Sequence, residues 1–155
     1  MGMLMSFYAG DKRKIGEGFS TTAGVPLWKQ PLVVGMADFS LHLSPIDLDL
    51  FSKEACRIAG AQPVTLTDSL TENVGGDGES SSADVVSPQW VQTVAGILDD
   101  QVDGLARRWL VQVAEEHREE PEEPNEDTLQ AIRDLIRVCR VAMEKKLAVV
   151  HVWSV

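Results

Sequence analysis

Hydrophobic and polar residues alternate strictly over residues 37–43, with Ala37, Phe39, Leu41 and Leu43 on one face and Asp38, Ser40 and His42 on the other. Period-two alternation predicts a half-buried strand. Directly after it, Ser44-Pro45-Ile46-Asp47 supplies a capping hydroxyl, a proline at the first helical position and an acid three residues past the cap, which together start a helix. Ile46, Leu50, Ala55, Ile58 and Ala59 carry that helix to a stop at Gly60, and the β-branched run at 64–67 predicts a short strand. Strand, helix and strand in succession point to a βαβ-like or α+β arrangement.

Ser87-Pro88 repeats the cap-and-proline start, and Val91, Val94, Leu98, Val102, Leu105, Trp109 and Val113 follow at steps of three and four, the spacing of one helical face. An unbroken helix over 88–116 would run about 42 Å at ~1.5 Å per residue, so a break is expected near 99–104. The last helix is expected from Asp127 or Thr128, with Leu129, Ile132, Ile136, Cys139 and Met143 as its core stripe and Arg133, Arg137 and Arg140 beside it. Residues 147–155 are apolar on both faces and predict a strand in the sheet interior.

Two stretches carry weaker patterns. The first 35 residues hold six glycines and two prolines between short apolar runs, which reads as turns with one or two strands. Residues 73–83, NVGGDGESSSA, are almost without apolar side chains; little burial is available there to offset ordering entropy, so 73–86 reads as a flexible internal loop. The whole is expected to be a single α+β domain over 1–155, a small mixed β-sheet covered by three to four helices, with the C-terminal strand in the sheet interior.

Charge sharpens this picture. The 155 residues carry 24 acidic against 14 basic side chains, yet residues 1–36 are net positive. Eight carboxylates and one arginine, Arg118, fall within 115–127, an acidic interhelical loop. Such a balance argues against nucleic-acid binding, which needs clustered Lys and Arg, and no apolar run reaches the ~18 residues of a membrane span. Two cysteines, Cys56 and Cys139, in apolar surroundings fit buried thiols in a reducing, cytoplasmic setting. The short apolar start at 4–9, with its basic cluster on the wrong side, is not the pattern of a signal peptide.

The search for chemistry is less productive. Asp38, Ser40 and His42 have the residue types of a nucleophilic triad, but side chains at i and i+2 on a strand stand about 6.5–7 Å apart, beyond the ~2.6–3.2 Å of a hydrogen-bond relay. Close ligand pairs such as HxxxH or CxxC are missing from the sequence, so neither a metal nor another cofactor is expected, and no catalytic residue is assigned. Residues 10–24, GDKRKIGEGFSTTAG, join Lys12, Arg13 and Lys14 to a glycine-rich turn, but Gly16 is followed by Glu17 rather than by the lysine of a phosphate cradle.

Two functional readings follow. The first is a non-enzymatic interaction module of the adaptor, inhibitor or immunity type. It would meet a basic or neutral protein partner through Glu115, Glu116, Glu119, Glu120, Glu122 and Glu123, with Trp28, set between Pro26 and Pro31, as either a lid over the core or an exposed anchor. The second is a small-molecule-binding protein or minor enzyme, with a pocket formed by Asp38, His42 and His151 near the glycine-rich segment 10–24.

Overall fold

A computed structural model of the chain describes residues 3–21, 33–41 and 43–155. Among these residues, five strands form one sheet: β1 (Leu4–Gly10), β2 (Val33–Asp38), β3 (Leu70–Gly76), β4 (Ser81–Val86) and β5 (Ala148–Ser154). Their order is β2-β1-β5-β4-β3, so β5 lies in the sheet interior, as its two-sided apolar pattern predicts. Among the described residues, five helices accompany them: α1 (Lys12–Thr21), α2 (Pro45–Ile58), α3 (Pro88–Ala95), α4 (Val102–His117) and α5 (Glu126–Lys145). The class is α+β. The pairing is antiparallel throughout rather than mixed, because the strand expected at 64–67, which would have completed a βαβ crossover, does not form.

That segment is held otherwise. The Val64 carbonyl accepts from Ser52 Oγ at 2.6 Å, and Asp49 Oδ1 takes the Thr67 amide at 2.9 Å. The chain is thereby tied to α2 as an irregular connection that ends in a 3₁₀ turn at Thr67–Ser69. Alternation at 37–43 also overstates its strand: β2 ends at Asp38. The Asp38 carboxylate accepts from the Ser40 amide at 2.8 Å, and Leu41 N–H turns back to the Phe39 carbonyl at 2.8 Å. A side chain competing for backbone donors breaks the ladder there, although Ala37 and Phe39 keep the buried face that the alternation assigned them.

Residues 73–86 are not a flexible loop but most of the β3–β4 hairpin. Their polar content is satisfied internally. Gly76 and Gly78 adopt φ of +85° and +78° at the tip, conformations open to glycine. Between them the Asp77 carboxylate accepts from the amides of Glu79, Ser80 and Ser81 at 2.9, 2.7 and 3.0 Å. The Ser80 hydroxyl also donates to this carboxylate, and it is the largest influence, ahead of the three amides, that holds Asp77 well below the usual carboxylate range.

The glycine-rich segment departs furthest from expectation, since it contains α1. Asp11 Oδ1 caps the helix by accepting from Lys14 N–H at 3.0 Å, and Ile15 is fully buried. Gly16 explains the glycine content: a Cβ there would lie 2.1 Å from the Val74 carbonyl oxygen, so only glycine lets α1 sit this close to β3.

The two sheet faces carry separate cores. On one, α1 packs Ile15 and Phe19 against Tyr8, Val85, Val150 and Val152. The other is larger, and α2 to α5 cover Met5, Phe7, Ala37, Phe39 and Val149. Trp90 and Trp109 are buried within it, with their indole N–H groups donating to Ser52 Oγ at 2.8 Å and to the Asp47 carbonyl at 2.7 Å. The long helical periodicity breaks between α3 and α4, where residues 96–101 include a 3₁₀ turn at Asp99–Gln101. Cys56 and Cys139 are both free and buried.

Candidate functional site

The acidic segment is positioned by the helices on either side. Helix α4 ends at His117 with Arg118 in the left-handed conformation, φ 57°. Helix α5 begins at Glu126, its amides capped by Asn125, whose side-chain oxygen accepts from Thr128 N–H at 2.9 Å. The connection is thus 118–125, shorter than 115–127, because the helical pattern continues through Glu115 and Glu116. Pro121 and Pro124 keep this connection out of either helix.

One further contact fixes the end of α4. His117 Nε2 lies 2.7 Å from Asp47 Oδ1. Asp47 is 2% exposed, and its other oxygen accepts from the Ser44 amide at 2.7 Å and the Ser44 hydroxyl at 2.9 Å. The start of α2 is therefore clamped to the end of α4. The hydrogen bond to Asp47, with the charges of Asp47, Glu119 and Glu116 adding to it, raises His117 above the usual histidine range.

Between this clamp, the residues Ser40, Leu41 and Leu43, and the start of α5 lies a groove of about 530 Å³. Leu41, Leu43, Leu110, Val113 and Ala114 supply an apolar floor, and Glu119, Glu120, Glu122, Glu123 and Asp127 line the groove with them. All five acids are exposed. Among the described residues, ion pairing reaches one of the five, Glu123, which meets Arg107. The arginines of α5 do not neutralise the rest: Arg133 pairs with Glu126 at 3.1 Å, Arg137 with Asp134 at 3.3 Å, and Arg140 donates to the Ala95 and Ile97 carbonyls at 3.0 and 2.6 Å.

The structure divides the acids read from sequence. Glu119, Glu120, Glu122 and Glu123 share the groove, whereas Glu115 lies on a different flank of α4, in a shallow depression with Glu54, Arg107 and Arg108. Glu116 is exposed in the last turn beside His117. Trp28 lies outside the described residues, as does His42. Sequence reasoning missed the apolar floor and Asp127. The signal was present, since Leu110 and Val113 share a flank of α4 next to the buried Trp109 stripe, but nothing in one sequence places Leu41 and Leu43 beside them.

The other proposed pocket does not assemble from its two described members. Asp38 pairs in register with Ser6, and Ser6 with Val152, which belongs to the core under α1. His151 pairs with Phe7 and sits on the opposite face of the sheet, its ring 4.6 Å from the Phe7 ring. It is 5% exposed, with Nδ1 3.3 Å from the Ser6 carbonyl, and burial pushes its pKa down to about 4. It is a neutral core imidazole. Among the described residues, no group of three His, Cys, Asp or Glu side chains is arranged to hold a metal ion, and no helix is long and apolar enough to cross a membrane.

No protein-family model, curated protein or solved structure matches this chain.

Proposed function

We propose that the protein is a non-enzymatic interaction module whose acid-lined groove between α4, α5 and the residues Leu41 and Leu43 receives a basic segment of a partner protein. The observation that carries this reading is the pairing of an apolar floor with five carboxylates of which, among the described residues, Glu123 alone meets a cation. Exposed like charges held this close repel one another. A partner that brings Lys or Arg to the rim relieves that repulsion, and apolar side chains seated on Leu110 and Val113 add burial at about 25 cal/mol per Å². Local negative charge also steers a positive partner into encounter and makes binding sensitive to salt.

Two variants test the reading, E119Q/E120Q/E122Q for the rim and Val113→Glu for the floor. The probe is a labelled synthetic peptide of alternating lysine and leucine pairs, with a lysine–glycine peptide of equal charge beside it. The expected result is saturable binding of the lysine–leucine peptide that weakens at about 0.5 M salt and falls at least tenfold in each variant. Equal binding of both peptides, or equal binding by wild type and variants, would overturn the proposal. Circular dichroism of the variants checks that these half-buried and exposed positions have not altered the fold.

A further inference from the structure

A second concavity lies toward the far end of α5, roughly 20 Å along the helix from the acidic groove at ~1.5 Å per residue. Its volume is about 500 Å³, within the ~300–1,000 Å³ range of small-molecule sites. Three junctions meet there: β1 into α1, β4 into α3, and α5 into β5. The walls are mostly apolar, built from Val86, Val91, Ala142, Met143, Leu147 and Val149. Met143 is 48% exposed although it continues the stripe whose other members are buried or partly buried, because this cleft opens where a packing partner would stand.

The charge here is opposite in kind to that of the acidic groove. Lys12 and Lys146 line the cleft together with Asp11. Lys12 is already paired with Glu72 at 2.6 Å, and the Asp11 carboxylate is turned to the α1 amides it caps, with Oδ1 3.0 Å from Lys14 N. Among the described residues, no ion pair engages Lys146. This lysine occupies the left-handed conformation at the end of α5, φ 55°, where glycine is the usual residue. The carbonyls of Met143 and Ala142 are meanwhile taken by the amides of Lys146 and Leu147 at 3.3 and 2.8 Å, so the helix end presents few free acceptors to repel an anion. The first turns of α1 and α3 border the same cleft, and helix starts carry partial positive charge.

We infer that this cleft binds a small amphipathic anion, a carboxylate with an aliphatic body, which seats its chain on Val91, Met143 and Leu147 and its head group at Lys146. An apolar cleft whose described lining holds one cation outside any ion pair, Lys146, fits that chemistry, and it fits a cationic amphiphile poorly. The glycine-rich segment thus contributes to a ligand site through Gly10, Asp11 and Lys12, without Asp38 or His151.

Decanoate, kept below its micelle-forming concentration, is the probe, and decylamine is the control with the same body and the opposite charge. Amide chemical shifts of the labelled protein are followed during titration, for wild type and for Lys146→Gly. Glycine suits the φ of position 146, so the variant removes the charge without straining the fold. The expected result is saturable binding of decanoate, with shifts centred on residues 85–91 and 142–149, no comparable binding of decylamine, and about five- to tenfold weaker binding in the variant. Absence of saturable binding, shifts centred elsewhere, equal binding of decylamine, or unchanged affinity in Lys146→Gly would each overturn it.

Discussion

Asp47→Ala is the sharpest test of the clamp that closes one end of the acidic groove. The substitution keeps the backbone carbonyl that accepts from Trp109 but deletes the carboxylate that holds Ser44 and His117. Loss of a helix cap costs about 1 kcal/mol, and hydrogen bonds to a charged acceptor are worth ~1.5–3 kcal/mol. Ser44 is half-buried, so water replaces part of what is lost, and the net cost is about 2–3 kcal/mol at the cap. At ~2–4 °C per kcal/mol for a chain of this size, the melting temperature should fall by about 4–12 °C.

A second signature of this variant depends on pH. His117 is raised above its ordinary 6.5 by Asp47, so above pH 6.5 the folded state binds more protons than the unfolded one. The stabilisation is full below 6.5 and disappears as pH rises through the raised value. Wild type and variant should therefore differ most under mildly acid conditions, and the gap should narrow toward alkaline pH to the cost of the lost cap alone, as followed by thermal melts monitored by circular dichroism. A fall of less than about 1 °C, or a difference that does not change between about pH 5.5 and 9, would refute the reasoning.

Three further outcomes are expected. Gly16→Ala should destabilise by about 1–3 kcal/mol despite the better helix propensity of alanine, because the added Cβ meets the Val74 carbonyl; hydrogen exchange should quicken in α1 and β3, and a raised melting temperature would contradict this packing. His151, with its pKa near 4, takes up protons more readily when unfolded, so stability should fall as pH drops from 6.5 toward 4; NMR titration should find its ring neutral at pH 6, and His151→Gln should flatten that acid limb. Burial raises the Cys139 thiol far above its usual range, so a thiol reagent should label Cys139 only as fast as the chain unfolds, as timed by mass spectrometry.

Much of this architecture is written in local patterns. The Ser44-Pro45 and Ser87-Pro88 starts, the α4 and α5 stripes and the two-sided apolar β5 each depend on neighbours within a turn or on uniform burial, and one sequence displays both. What stayed hidden depends on contacts distant in the chain. Helix α1 looks like a glycine-rich turn until Val74 approaches Gly16, and the β3–β4 hairpin looks like a loop until Asp77 collects three amides and β4 finds β5. For the candidate site, the acids were legible because charge is a composition signal. Their apolar floor was not, since it joins Leu41 and Leu43 to Leu110 and Val113 across the fold, and the pairing of Asp38 with His151 failed because strand register sets them on opposite faces.

The placement of β5 between β1 and β4 has a consequence for how the protein reaches its native state. Without β5 the sheet is two separate ribbons, β1–β2 and β3–β4, and an isolated pair of strands is marginal in water. Joining them brings Ser6 to His151, 145 residues away along the chain, so the step that gives both ribbons a stable neighbour is also the one with the largest search. High contact order slows folding, and here the delay falls on one strand. Assembly should accordingly be cooperative around 148–154, with β1–β2 and β3–β4 gaining lasting protection together and only after β5 has entered between them.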